Sequence, residues 1–339
     1  MHCVIFGNFG AMNLGDEAIL AGQLQELKKI PNLHVTVVAR FPQEVTKMHN
    51  VAAISFYALG KIIHAIKQAD VVIVGGGGII CKMERGIISF FYQLYMLSLF
   101  FVLPRLFKKK LYAWGIGVYD NTHPIILWLS CSLLRLVTTI TVRDYHSYAL
   151  LKSKNIDAQL HKDNSFLMEL EAKDIVMQED FFKEIYDPKR KHIGISLLKP
   201  SSKKAEQHLL AELITFMTNN YKTSDFWFYS CDYHPSYLND EQFGQKLKKI
   251  LINTVDKDIR FYFIPTQWHP QKFFSSFQLM DFMIAMRLHA DIFAYRTGLN
   301  FLGISYDEKC KSFLASIGKD ALEIQDISWH AIQKSFKLV

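Results

Sequence analysis

The sequence predicts an α/β protein made of two doubly wound, Rossmann-like domains. Three observations predict it. Short apolar runs rich in β-branched and aromatic residues alternate with longer helical patterns along the chain. Many of those runs end in glycine or a charged residue, as strands do at the carboxyl rim of a parallel sheet. With 339 residues, half of them hydrophobic, the chain exceeds what one core ordinarily holds.

Residues 2–7 read as the first strand, ending at Gly7. A turn with Gly10, Asn13 and Gly15 leads to Asp16-Glu17, which open a helix over 18–29 where acidic residues suit the helix dipole. The next strand is 34–39, and Pro42 interrupts regular structure after it. A helix lies within 54–68, and strand 69–74 runs into Gly75-Gly76-Gly77-Gly78. The uncharged stretch 87–103 reads as a crossover helix rather than a membrane span, for which its length is at the lower limit. Strand 111–114 ends in Gly115-Ile116-Gly117, a second apolar helix covers 125–137, and strand 138–142 ends at Arg143-Asp144. Helix 147–154 and a short strand ending at Asp163 come next.

The charged segment 169–190, with Pro188, reads as a linker, giving domains 1–178 and 179–339. Strands 192–196, 225–231, 260–264, 280–286 and 301–305 then alternate with helices 205–219, 240–252 and 290–296 before a terminal helix. Two such lobes with a cleft between them form the GT-B architecture, and ligands are expected where strand ends face the cleft.

The net charge of +7 favours anionic partners, but no Arg-rich stripe interleaved with exposed aromatics appears, so nucleic acid is disfavoured. The cysteines Cys3, Cys81, Cys131, Cys231 and Cys310 lack CxxC spacing and read as reduced, mostly buried thiols of a cytosolic protein. The opening MHCVIFGNFG reads as a strand, not a signal peptide. His123, His161, His192, His234 and His269 stand singly, without metal-ligand spacing, and no metal is expected. His234 and His269, in aromatic, Pro-containing segments, could line the cleft.

Four places carry the chemistry. Arg287 and His289 follow one strand and Lys309 the next, so all three belong on one rim beside a helix N-terminus, a site suited to a small, highly charged anion. Spacing alone fits equally a surface Arg, a core His and a solvated Lys. The loop 7–20 offers glycines, Asn13, Gly15, Asp16 and Glu17 at a helix N-terminus, but matches neither the dinucleotide fingerprint nor a P-loop. It could also be a tight turn with a capping Asp. Gly76 and Gly77 lie in a run that suits close backbone approach or an anion nest, and equally a flexible loop. Arg143 could hold a carboxylate or phosphate, or pair with Asp144 at the surface.

These pieces, in this order, resemble the polysaccharide pyruvyl transferase family. The matching elements are residues 7–20 around Asn13-Leu14-Gly15-Asp16-Glu17, residues 71–79 with their four glycines, Thr141-Val142-Arg143-Asp144 with Ser147 and Leu150, Asp163, Arg287-Leu288-His289-Ala290, and Tyr306-Asp307-Glu308-Lys309. The resemblance covers about residues 3–318. Asn164-Ser165 replace the family's Pro-Ala after Asp163, and Asn300 stands where Pro commonly follows Gly298.

The resemblance implies a GT-B-like enzyme that uses phosphoenolpyruvate, without a cofactor, to build a pyruvate ketal on a sugar, releasing phosphate. The implied acceptor is a glycan or lipid-linked glycan of the cell envelope or an exopolysaccharide. On this reading Arg287, His289 and Asp16 are catalytic: Arg287 clamps phosphoenolpyruvate with Lys309, His289 is clamp or general acid, and Asp16 is the base for the acceptor hydroxyl. Asn13, Gly15, Glu17, Gly76, Gly77, Arg143 and Lys309 bind substrate. The expected location is cytoplasmic, with helix 87–103 and Lys108-Lys109-Lys110 fitting peripheral contact with the inner membrane face. A GT-B glycosyltransferase using a nucleotide sugar and a non-catalytic glycan-binding assembly protein are the alternatives.

Overall fold

The computed structural model describes residues 1–80, 86–234 and 239–337. They form two compact units, one of Met1–Ala11 with Asp16–Met168, the other of Met12–Gly15 with Glu169–Val339.

The first unit holds a parallel sheet of β1 (His2–Phe6), β2 (His34–Ala39), β3 (Ala52–Ser55), β4 (Val71–Gly75), β5 (Gly78–Ile80), β6 (Lys110–Val118), β7 (Thr139–Val142) and β8 (Gln159–Leu160). Their order is β3-β2-β1-β4-β6-β7-β8, with β5 beside β6. Successive strand residues point to opposite faces. Cys3, Ile5 and Ile73 pack with Ile19, Leu20 and Leu24 of helix Leu14–Lys28. Val4, Phe6, Val72 and Val74 pack on the other face with Ile62, Phe100, Ile126 and Leu151 from the crossover helices. A sheet covered on both faces explains why its strands read as unbroken apolar runs.

The second unit holds β9 (Lys191–Ser196), β10 (Ser224–Phe228), β11 (Phe261–Phe263), β12 (Phe282–Ala285), β13 (Asn300–Ser305) and β14 (Leu322–Glu323). Their order is β11-β10-β9-β12-β13-β14, again parallel. Leu209, Leu213 and Phe216 of helix Lys203–Asn220, with Phe243, Leu247 and Leu251 of helix Asp240–Thr254, cover one face of it.

Each sheet has one topological switch point. The chain winds outward through β1, β2 and β3, then returns to lay β4 against the other side of β1. It repeats this with β9, β10, β11 and β12. Loops leaving β1 and β4, or β9 and β12, therefore diverge and leave a crevice at the carboxyl ends of the strands.

Several elements differ from expectation. Pro42 opens a helix, Pro42–His49, because its missing N–H falls where a first turn needs no donor. A strand not expected from the sequence, β3, precedes helix Leu59–Gln68, which lies within 54–68 as expected. β6 continues through Gly115, whose φ of +69° accompanies a register shift against β7, a bulge that only glycine adopts easily. The expected linker instead carries helices Lys173–Met177 and Asp180–Ile185. The Glu171 N–H donates to Ser275 Oγ (2.8 Å) and Gln278 Nε2 to the Glu171 carbonyl (2.8 Å), so this segment packs on the second unit. The division accordingly falls after Met168, not at 178/179.

Helix Gly86–Leu106, with a π-helical stretch at Ser98–Val102, is the one described helix long and apolar enough to cross a membrane. It connects β5 to β6, and its Leu97, Leu99, Phe100 and Phe101 belong to the core of the first unit.

Candidate functional site

The second unit builds its site at the crevice between β9 and β12. The Met286 N–H donates to the Ser196 carbonyl (2.8 Å), extending the ladder by one residue. Arg287 then turns extended (φ −93°, ψ 132°) and stands at the N-cap position of helix Leu288–Arg296, without a side-chain capping bond. The backbone N–H groups of the first turn lack helical acceptors and give the crevice a positive end.

The Arg287 guanidinium is pinned. Its Nε donates to Asp240 Oδ2 (3.0 Å), its Nη2 bonds Asp240 Oδ1, and Asp232 Oδ2 lies 3.8 Å from Nη2. Asp240 also accepts the backbone N–H groups of Cys231 (3.1 Å) and Asp232 (3.0 Å). Burial opposes the charge on Arg287, but the Asp240 carboxylate outweighs it and raises the guanidinium above its ordinary range. Of the three guanidinium nitrogens, only Nη1 lacks a partner among the described residues.

The same unit includes Met12–Gly15. The Leu14 N–H donates to the Cys231 carbonyl (2.8 Å), the Tyr233 N–H donates to the Met12 carbonyl (3.1 Å), and Asn13 forms a bridge with Asp232. Asn13 Oδ1 accepts the Gly15 N–H (2.9 Å), so the amide side chain caps helix Leu14–Lys28. Gly15 faces His289: a Cβ at this position would lie 2.0 Å from Nδ1 and 2.6 Å from Cγ of the imidazole. Asn13, Gly15, Arg287 and His289 thus converge around one pair of loops.

Lys309 stands on the same rim, beyond β13. Its Nζ lies 3.2 Å from Asp307 Oδ2, while Asp307 Oδ1 accepts the Cys310 N–H (3.0 Å) and caps helix Glu308–Ser316. Burial would raise the Asp307 carboxyl, but Lys309 and the Cys310 N–H overcome it and hold it below the ordinary range.

In the first unit, Asp16 and Gly77 meet at the β1/β4 crevice. Asp16 Oδ2 accepts from Asn8 Nδ2 (2.8 Å), and a Cβ on Gly77 would lie 2.9 Å from Asp16 Oδ1. A Cβ on Gly76 would lie 2.3 Å from Ile19 Cγ2. With φ of +79° and +78°, Gly76 and Gly77 let the loop close on the first turns of helix Leu14–Lys28, so the chain's own packing requires both.

Two expected substrate contacts turn inward instead. Glu17 is buried, with Oε1 accepting the Gly10 N–H (2.7 Å) and Oε2 paired with His49 Nε2 (2.8 Å), so it braces the first loop. Arg143, with its side chain 5% exposed, donates from Nη1 to Asp163 Oδ2 (3.0 Å) and from Nη2 to the Tyr119 hydroxyl (3.3 Å). An arginine buried beside a carboxylate needs that partner, and here the fold supplies it. Among the single histidines, His269 and His123 accept backbone N–H groups through Nδ1 and cap helices, His269 taking Gln271 and His123 taking Ile125. Cys3, Cys131, Cys231 and Cys310 are buried, and burial pushes the Cys3 and Cys231 thiols up to about 12; Cys81 lies outside the described residues.

Sequence reasoning missed Asp240, Asp232 and Asp291. Asp240 reads as an ordinary first-turn acid after Asn239, and nothing in its surroundings points 47 residues ahead to Arg287. Asp291 follows His289 by two residues, is fully buried, and neither carboxylate oxygen has a hydrogen-bond partner among the described residues. Burial, with repulsion from Asp307, raises its carboxyl well above the ordinary range. A carboxyl raised in the folded state adds stability below its unfolded pKa and loses it as pH climbs through the folded value. Asp291→Asn is therefore expected to match the parent near pH ~4 and to gain relative stability towards neutrality. Urea midpoints across that range check this, and a pH-independent difference contradicts it.

The family model for polysaccharide pyruvyl transferase matches residues 13–308, a span that includes Asn13, Arg287 and His289. The chain belongs to that family. No curated protein sequence matches this pyruvyl transferase family member significantly. Its fold is similar to that of UDP-GlcNAc 2-epimerase from Neisseria meningitidis bound to UDP-GlcNAc (TM-score 0.63, 13% identity, 99% of this chain and 91% of that one). It is similar too to UDP-GlcNAc 2-epimerase from Methanocaldococcus jannaschii (0.65, 11%, 99% and 91%). E. coli ADP-heptose LPS heptosyltransferase II is another likeness (0.51, 11%, 100% and 98%). At such identities these likenesses establish the fold of the pyruvyl transferase family member, which is GT-B.

Proposed function

We propose that this protein transfers the enolpyruvyl unit of phosphoenolpyruvate to a sugar of an envelope or extracellular glycan and closes it to a pyruvate ketal. The observation that carries this reading is the placement of His289 and the pinned Arg287 cation at the positive end of a helix, in the switch-point crevice of the second unit. Phosphoenolpyruvate carries a phosphate and a carboxylate on three carbons. Fixed cations and backbone donors suit such an anion, and Asp240 keeps Arg287 from folding away.

The reaction needs an acid, a base and an anion clamp. Protonation of the enol carbon C3 leaves oxocarbenium character at C2. A sugar hydroxyl adds to C2 and gives up its proton. The bond from C2 to the phosphate oxygen breaks and phosphate departs. A second sugar hydroxyl then adds to C2, loses its proton and closes the ketal. His289 is assigned to the proton donated at the reacting enol or the departing phosphate, Arg287 Nη1 and Lys309 to the anion, and Asp16 to the proton of the acceptor hydroxyl. Asn8, hydrogen-bonded to Asp16, would hold that carboxylate's orientation.

His289→Ala is expected to lower phosphate release from phosphoenolpyruvate in the presence of a glycan acceptor by about 10²-fold or more. Lys309→Met is expected to raise KM for phosphoenolpyruvate. Unchanged kinetics in both variants contradicts the assignment.

A further inference from the structure

The first unit carries an apolar surface that its own core leaves uncovered. Ile87, Ile88 and Phe91 at the start of helix Gly86–Leu106 are 73%, 76% and 62% exposed. Ile125 and Trp128 of helix Pro124–Leu134 are 52% and 67% exposed. The two helices are neighbours: Phe90 meets the His123 ring edge-on, with centroids 5.1 Å apart, and Gln93 Nε2 donates to Thr122 Oγ1 (3.5 Å). Ile87 and Ile125 line one groove of about 590 Å³ between them. Phe91 lies one turn beyond Ile87, and Trp128 one turn beyond Ile125, so the five side chains form one patch. Large contiguous apolar patches on a protein surface mark contact sites.

Charge selects the partner. Between Gly86 and Arg143 the sequence has a single acidic residue, Asp120, against Arg105, Lys108, Lys109, Lys110 and Arg135 on or just beyond these helices. Ile87, Phe91 and Ser98 are exposed at spacings of four and seven, which is one stripe of an α-helix, and Arg105 is exposed near the far end of the same helix. The apolar start and the basic end of this helix are therefore both exposed. A second copy of the chain would bring like charges together, whereas an anionic lipid surface complements them.

We propose that the Ile87, Ile88, Phe91, Ile125 and Trp128 patch seats the first unit on an anionic bilayer surface, with Arg105, Lys108 and Lys110 taking the headgroup charge. The helix lies on the membrane rather than through it, because its middle residues Leu97, Leu99, Phe100 and Phe101 are committed to the core. Trp128 supplies the amphipathic ring that favours the headgroup level. Docking of this kind is independent of the group the enzyme transfers.

The test is co-sedimentation of the full chain with vesicles of phosphatidylcholine alone and of phosphatidylcholine mixed with phosphatidylglycerol. The parent is expected to bind the mixed vesicles, less strongly as salt rises. Ile88→Asn with Phe91→Asn and Trp128→Asn is expected to weaken that binding by about tenfold or more, with the thermal melt unchanged because all three side chains are exposed. Lys108→Ser with Lys110→Ser is expected to weaken binding to the mixed vesicles by about tenfold and leave any binding to the neutral ones unaltered. Equal binding of the parent and the triple variant overturns the proposal. So does a lack of parent binding to either vesicle, or light scattering that shows a dimer which the triple variant dissolves.

Discussion

Gly15→Ala is expected to remove most of the activity while leaving the fold in place. The new methyl group would sit 2.0 Å from His289 Nδ1 and 2.6 Å from Cγ. Ordinary carbon contacts need about 3.5–4.0 Å, so the ring must move by more than an ångström or the loop must retreat. Cγ is the ring atom nearest the backbone, and small rotations leave the clash in place. A displacement of about 1 Å at a reacting group costs on the order of 10²-fold in rate. Gly60→Ala is the matched control, since nothing lies within 4 Å of a Cβ there and the residue sits in helix Leu59–Gln68. It is expected to raise stability by about 0.5–1 kcal/mol without a change in kcat. Full activity in Gly15→Ala would mean that His289 does not act from its observed position.

Asp240→Ala is expected to be the most destabilising single change at the site. The Asp240 carboxylate, 2% exposed, gathers two donors from Arg287 and two backbone N–H groups from Cys231 and Asp232. Truncation strands a largely buried guanidinium and both N–H groups at once. Breaking a buried ion pair from one side costs about 3–5 kcal/mol, and the 20% exposure of Arg287 puts the expected loss near the lower figure. Asp240→Asn keeps an acceptor oxygen and is expected to cost less. The same truncation also frees Arg287 to swing, so KM for an anionic substrate should rise even at temperatures where the protein stays folded. Urea unfolding and initial-rate kinetics on the two variants separate these effects. A loss below about 1 kcal/mol in Asp240→Ala would mean that Arg287 finds another partner.

Elements buried on both faces were legible in the sequence because they must be apolar throughout. β1, β4, β12 and β13 are of this kind, so the loops that hold Asn13, Gly15, Asp16, Arg287 and His289 could be placed at strand ends from the sequence, while position alone left each of these residues open between a site and a structural role. The facing partner of a polar side chain was not readable, because it comes from a distant loop. Glu17 finds His49 across 32 residues, Arg143 finds Asp163 across 20, and Arg287 finds Asp240 across 47. The residue types are the same whether such a group binds a substrate or another part of the chain. Glycines posed a similar ambiguity. A run of four suits an anion nest, yet Ile19 and Asp16 account for Gly76 and Gly77 by contact. The apolar helix was legible as a crossover, but which of its turns would be covered depended on the core of the first unit. Leu97, Leu99, Phe100 and Phe101 face that core, and Ile87, Ile88 and Phe91 do not.

Phosphoenolpyruvate is the proposed occupant of the Arg-Leu-His crevice of the second unit. Thermal melting of the full chain with phosphoenolpyruvate, set beside UDP- and GDP-sugars, tests it most directly. At a ligand concentration a hundredfold above Kd, binding stabilises the folded state by about 2.7 kcal/mol, enough to raise Tm by several degrees. That rise is expected with phosphoenolpyruvate and is expected to be lost in His289→Ala. A rise with a nucleotide sugar and none with phosphoenolpyruvate would contradict it.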